Sequence, residues 1–127
     1  MNDEQYLQHS LEAWRQFADT FVKRCASLPE GDPLAELAAA CQRAGATSDA
    51  LYQAGPELVA RLFTGFPEFA PTVPRELLWF LGGECLHYLT DEEIAAYQEI
   101  DEARTAAASR GEVIDLAAAR AKLLPSH

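Results

Sequence analysis

The chain has few basic residues and no long hydrophobic run. It carries 10 Lys and Arg residues against 20 Asp and Glu residues, a net charge of −10 over 127 residues. Because Lys and Arg neutralise the phosphate backbone in nucleic-acid complexes, this balance argues against a nucleic-acid partner, and anionic membrane surfaces are disfavoured for the same reason. No stretch approaches the roughly 18 apolar residues of a membrane-spanning helix, so we expect no membrane association.

A secretion signal and paired cysteines are also lacking. The first residues, MNDEQYLQHSLEAWRQF, contain no basic region followed by an apolar one. Cys25, Cys41 and Cys85 lie far apart and form no C-x-x-C pair, which argues against a zinc site. They are expected to be reduced thiols on apolar helix faces. These features predict a cytoplasmic protein.

Residues typical of β-strands are scarce, and no four consecutive residues are β-branched or aromatic. The apolar fraction of 49% includes many alanines, which favour helix. The expected fold is a single all-α domain over residues 1–127. It is predicted to be a compact bundle of five to six helices, with a Pro-rich loop, residues 64–74, strapped over the core.

The first three helices are predicted from apolar spacing and caps. The first has a 4-3-4-3 seam, which is typical of a bundle helix: Leu7, Leu11, Trp14, Ala18, Phe21, Cys25 and Leu28. The second is expected over about 33–44, with Asp32 as N-cap and Pro33 in its first turn. The third begins near Thr47. Because proline lacks an N–H group, we expect a break or sharp kink at Gly55-Pro56.

The fourth helix is predicted to begin at Pro74 and to be central in the bundle. Leu78, Leu81, Cys85 and Leu89 keep helical spacing across Gly82-Gly83. That continuity favours one uninterrupted helix, with the glycine pair at a close helix crossing, and a turn there is the second choice. Thr90 to Glu93 forms a capping box that starts the fifth helix, which should end near Arg110-Gly111. A short terminal helix is expected over 116–124.

Glu84-Cys85-Leu86-His87 contains the Glu-x-x-His spacing of carboxylate-bridged di-iron sites, but such sites need a second copy of the motif. His9 and His127 have no Glu three residues before them. A local ion pair or hydrogen bond between Glu84 and His87 is therefore favoured over a metal site. Cys85 and His87 point apart on a helix, which argues against a thiolate–imidazole pair.

The acidic residues from Asp91 to Glu102 are interpreted as a solvated helix face, with an acidic docking surface for a basic partner as the alternative. The apolar run Leu77 to Phe80 is interpreted as part of a central helix, with a homodimer seam and a ligand pocket left open. The chain contains no phosphate-binding glycine loop, no G-x-S-x-G motif and no H-E-x-x-H motif.

We therefore expect a small soluble interaction or regulatory protein without catalytic chemistry or a cofactor, acting through a homo-oligomeric or protein-partner interface. The alternative is a helical bundle that binds a small apolar ligand or a metal near Trp79, Glu84 and His87. The predicted interface or ligand face consists of Trp79, Phe80, Gly82, Gly83, Glu84, Cys85, His87 and Tyr88.

Overall fold

The computed structural model describes residues 3–111 and Ala119, and this part of the chain is helical with no strand. Two short 3₁₀ helices, η1 and η2, interrupt five α-helices. The elements are α1 (Asp3–Arg24), α2 (Pro33–Ala44), α3 (Ser48–Gly65), η1 (Pro67–Thr72), α4 (Arg75–Leu81), η2 (Gly83–Tyr88) and α5 (Asp91–Ser109). The all-α prediction is confirmed. The helix predicted over 116–124 lies outside the described residues, except for Ala119, which packs against the core.

Helix α1 packs on α2 through the predicted seam. Leu11, Trp14, Ala18, Phe21 and Cys25 are buried. The Trp14 indole Nε1 donates to the Cys41 carbonyl oxygen at 2.8 Å. A buried indole N–H needs such a partner, so this bond fixes the position of α1 against α2.

The predicted starts of α2, α3 and α5 are confirmed by their caps. Asp32 Oδ1 accepts from the Leu34 N–H at 2.9 Å. The α3 cap bond runs from the Ala50 N–H to Thr47 Oγ1 at 3.0 Å. These side-chain oxygens satisfy N–H groups that have no partner within the first turn of a helix. Thr90 and Glu93 form the reciprocal capping box at the start of α5.

The predicted break at Gly55-Pro56 is wrong, because α3 continues through both residues. The sharp kink given as its alternative stays a prediction. Pro56 cannot donate to the Tyr52 carbonyl oxygen, but the adjacent turns carry one continuous apolar face. Its buried residues are Leu51, Leu58, Val59 and Leu62. Burial of such side chains contributes roughly 1.5–3 kcal/mol each, and together this outweighs the roughly 3 kcal/mol cost of proline inside a helix.

The predicted passage of the fourth helix through Gly82-Gly83 is also wrong. Helix α4 ends at Leu81, and η2 follows. Gly82 has φ 65° and ψ −155°, a backbone region that only glycine adopts readily. A Cβ on Gly83 would meet no atom within 4 Å, so the glycine pair makes a turn and not a close helix crossing.

Within the predicted Pro-rich loop, residues 64–74, Pro67–Thr72 form a 3₁₀ helix, η1. The ring of Phe69 stacks on that of Phe21 in α1, with centroids 5.6 Å apart. Phe66 and Phe69 are both partly buried against the core. The segment therefore packs two aromatic side chains against the core.

Helix α4 and η2 lie alongside α3 and run in the same direction. Three successive contacts define the alignment: Tyr52 with Phe80, Gly55 with Leu81 and Phe63 with Tyr88. The other sides of α4 face α1 and α5. Leu77 and Leu78 are fully buried as a result.

Candidate functional site

The residues of the predicted face point in different directions. Phe80 and Cys85 are buried in the core. Gly83, Glu84 and His87 are exposed, and the remaining three are partly exposed: Trp79, Gly82 and Tyr88. The two short helices separated by the Gly82 turn cannot present all eight residues on one surface.

The predicted hydrogen bond or ion pair between Glu84 and His87 is not present. A different histidine, His9, has a carboxylate partner, because its Nε2 lies 3.4 Å from Glu76 Oε1. No group of three or more His, Cys, Asp or Glu side chains in the described residues could hold a metal ion. The geometry around Glu84 and His87 therefore gives a metal site no support.

Aromatic rings from α1, α3 and α4 meet around Phe80. Tyr52 stacks on Phe80 with centroids 4.9 Å apart. Tyr6 meets the same ring edge-on at 5.8 Å. Phe80 is 8% exposed, whereas Tyr52 is 46% exposed, so Tyr52 covers Phe80 with one face and offers the other to solvent.

A second group of contacts attaches α5 to α1 and α4. Trp79 Nε1 donates to Asp101 Oδ2 at 2.8 Å, and the Trp79 ring stacks on Tyr97. The Arg104 guanidinium lies 4.4 Å from the centroid of the Tyr6 ring, a cation–π contact. Burial is the main cause that raises the pKa of Tyr6 above its usual range, and the negative charge of Asp101 raises it further. The Tyr6 hydroxyl therefore stays protonated.

Arg75 holds the start of α5 against the end of η2. Its guanidinium donates to both carboxylate oxygens of Glu93, at 2.8 and 2.6 Å, and to the Tyr88 carbonyl oxygen at 2.8 Å. The hydrogen bonds from Arg75 lower the pKa of Glu93 to about 2. Glu93 Oε1 also accepts from the Thr90 N–H at 3.0 Å. One carboxylate therefore completes both the capping box and the contact with α4.

The sequence placed Glu93 and Asp101 in a solvated acidic face, but each has a specific structural partner. Asp91, Glu92, Glu99 and Glu102 are exposed as predicted. The capping-box spacing revealed the local role of Glu93. Its contact with Arg75 depends on the tertiary fold, as does the contact of Asp101 with Trp79, and no local pattern reveals either.

The three cysteines are free and buried. Burial raises the pKa of Cys41 to about 12, and burial also raises the pKa of Cys25 and of Cys85. The thiolate is the nucleophilic form of cysteine. These thiols are protonated near neutral pH and pack as small apolar side chains.

Two cavities lie away from the predicted face. One has a volume of about 600 Å³ and lies between α1 and the segment that joins η1 to α4. The other, of about 450 Å³, lies between α2 and the end of α3. Neither is lined by Trp79, Cys85 or His87.

The fold and its contacts define an all-α domain. Within residues 3–111, no helix combines the length and apolar character needed to span a bilayer. Residues 3–127 match the family described as PA2817-like, and the chain belongs to that family. No curated protein and no solved structure gives a significant match to the chain.

Proposed function

We propose that this PA2817-like chain is a small helical interaction protein, without catalytic chemistry of its own, that self-associates through a surface centred on Tyr52. We call this surface the Tyr52 face and define it as Tyr52, Leu81, Gly82 and Gly83. The observation that carries the proposal is the 46% exposure of Tyr52, the large hydrophobic side chain left exposed in the described part of the chain.

Tyr52 has the properties of an interface anchor. Tyrosine is enriched at the centres of protein interfaces, where its ring supplies apolar area at a low cost in side-chain entropy. Here the ring is already held by its stack on Phe80 at 4.9 Å. Less rotational freedom is therefore lost on binding than for an unsupported surface side chain.

The lack of charge on the Tyr52 face favours a second copy of the chain over a basic partner as its occupant. Two copies that each carry a net charge of −10 repel one another, and an uncharged surface opposes their approach least. The four residues of the Tyr52 face carry no charge. A basic partner would be attracted to the exposed carboxylates of α5, at Asp91, Glu92, Glu99 and Glu102.

We also propose a role for the Pro-rich segment and a cellular location for the protein. The Pro-rich segment 64–74 acts as a strap that closes the core of a five- to six-helix bundle, supported by the stack of Phe69 on Phe21. We place the protein in the cytoplasm. This location is supported by the three cysteines, which are free and buried. Free thiols are typical of reducing compartments, where disulfides are rare.

Sedimentation velocity over micromolar to sub-millimolar protein tests self-association. We expect a monomer–dimer equilibrium that tightens when salt is added, because salt screens the repulsion between two acidic copies. Tyr52→Asp should weaken the dimer by roughly tenfold or more, since it places a charge at the centre of the contact.

Gln53→Asp is the matched control. It introduces the same charge at the next exposed position, turned by about 100° around the α3 axis, and should leave the dimer intact. Melting temperatures establish that both variants are folded. A strict monomer at all concentrations contradicts the proposal, as does a dimer that Tyr52→Asp leaves unchanged. A complex with a different protein that uses Tyr52 would replace the second copy as the occupant.

A further inference from the structure

A groove runs between α1 and the chain that leads from η1 into α4. Its two ends are fixed by contacts between these segments. At one end Phe69 stacks on Phe21 with centroids 5.6 Å apart, and at the other His9 Nε2 lies 3.4 Å from Glu76 Oε1. The two segments are therefore antiparallel, with a volume of about 600 Å³ between them.

The groove has an apolar floor and a partly polar rim. Phe17 and Phe21 form the floor on the α1 side, and Pro71 and Pro74 line the opposite side. Hydroxyl and amide groups stand along the rim, from Gln16, Thr20 and Thr72. The carboxylate of Glu76 also lines the groove, at the end opposite Arg24. A few polar groups around an apolar cavity of 300–1,000 Å³ is the usual character of a small-molecule site.

One end of the groove carries a cation. Arg24, in the last turn of α1, lines the groove there and has no hydrogen-bond or ion-pair partner in residues 3–111. Arg15 and Arg75, by contrast, both donate to protein oxygens. An arginine that has no carboxylate partner among the described residues and lies beside an apolar groove is a suitable binding group for an anion.

We propose that this groove binds a small amphiphilic carboxylate. The apolar body lies over Phe17 and Phe21, and the carboxylate binds the Arg24 guanidinium. The fork of N–H donors on arginine matches a carboxylate in a bidentate pair. The α1 stripe from Ala13 to Arg24 is about 16 Å long at the helical rise, which fits a medium-chain acid lying along the groove. This proposal does not rest on the Tyr52 contact.

The second cavity provides an internal control. It is lined by Arg61, which also has no hydrogen-bond or ion-pair partner among the described residues, together with Pro33, Leu37 and Phe66. Its volume of about 450 Å³ is smaller, and it lacks the pair of buried aromatic rings that floors the first groove. Arg61→Ala removes a comparable exposed guanidinium from a comparable apolar cavity.

Isothermal titration calorimetry with decanoate, below its micelle concentration, tests the proposal. We expect one decanoate per chain. Arg24→Ala should weaken binding by roughly tenfold, which is typical for a lost charge-assisted hydrogen bond, and Arg24→Lys should weaken it less. Thr20→Trp, which places a large ring from an exposed position into the groove, should abolish binding. Arg61→Ala should leave it unchanged.

Decanol provides the second arm, because it has the same chain without the carboxylate. It should bind more weakly than decanoate and should not respond to Arg24→Ala. The proposal is overturned if millimolar decanoate does not bind, if Arg61→Ala weakens binding as much as Arg24→Ala, or if decanol and decanoate lose equal affinity in Arg24→Ala. It is also overturned if Thr20→Trp, still folded by its melting temperature, keeps full affinity.

Discussion

Leu81 of α4 packs directly over Gly55 of α3. A Cβ built on Gly55 would lie 3.0 Å from Leu81 Cδ2 and 3.1 Å from Leu51 Cδ1. The close approach that the sequence assigned to Gly82-Gly83 is therefore made by Gly55. This contact also brings Phe80 and Tyr52 together one turn away, so the alignment of α3 with α4 builds the Tyr52 face.

Gly55→Val should destabilise the protein by about 1–3 kcal/mol, because a β-branched side chain inserted at a packed contact forces its neighbours apart. Urea unfolding, followed by the fluorescence of Trp14 and Trp79, measures this change. Gly65→Ala is the control at the end of the same helix. A Cβ there meets no atom within 4 Å, and the variant should stay within about 0.5 kcal/mol of the parent. Equal stability of the two variants would contradict the close contact at Gly55.

Gly82→Ala should destabilise the protein by about 1–3 kcal/mol, because alanine is strained at φ 65° and ψ −155°. The sign of this change distinguishes a turn from a helix. In an uninterrupted helix with open space around the residue, alanine would stabilise by up to about 1 kcal/mol. Urea unfolding of the parent and of Gly82→Ala measures this change. A Gly82→Ala variant that is more stable than the parent would rule out the turn.

Glu93 should give the protein a pH-dependent contribution to stability. The hydrogen bonds from Arg75 lower the pKa of Glu93 to about 2, below its ordinary value of about 4.3. The contribution is therefore fully present above about pH 4.5 and is lost as the pH falls towards 2. At pH 7, Glu93→Gln should cost about 1 kcal/mol, since glutamine keeps the capping box but loses the ion pair.

The stability difference between the parent and Glu93→Gln should shrink as urea titrations are repeated from pH 6 down to about 2.5, as the linkage requires. Glu92→Gln provides the matched control, because Glu92 is the exposed neighbour in the same turn. The stability difference between the parent and Glu92→Gln should be smaller, and it should not shrink comparably between pH 6 and about 2.5. A difference for Glu93→Gln that is constant with pH would contradict the contact with Arg75.

Local features of the fold were predictable from the sequence, and long-range ones were not. The caps at Asp32, Thr47 and Thr90 bind N–H groups two or three residues away, so short patterns reveal them. The break after Leu81 was hidden, because a turn followed by a 3₁₀ helix still brings Cys85 and Leu89 into the core. The continuity of α3 through Pro56 depends on the packing of both halves of the helix against the core. Local sequence rules do not include this tertiary packing.

The candidate site was partly predictable for the same reason. The aromatic run near Trp79 led to a predicted face around it, but the Gly82 turn separates the residues of that face. Nothing in the local sequence distinguishes the exposed Tyr52 from the buried Leu51 beside it. The exposure of Tyr52 depends on where α4 lies. The bonds from Arg75 to Glu93 and from Trp79 to Asp101 join residues 18 and 22 positions apart, beyond the reach of helical spacing.

The central claim is self-association through Tyr52, and sedimentation velocity of the parent, Tyr52→Asp and Gln53→Asp tests it most directly. We expect a dimer for the parent and for Gln53→Asp that strengthens with salt, and a dimer at least about tenfold weaker for the folded Tyr52→Asp variant under the same conditions. A monomeric parent at sub-millimolar concentration would contradict the account, and so would a Tyr52→Asp variant that dimerises as strongly as the parent.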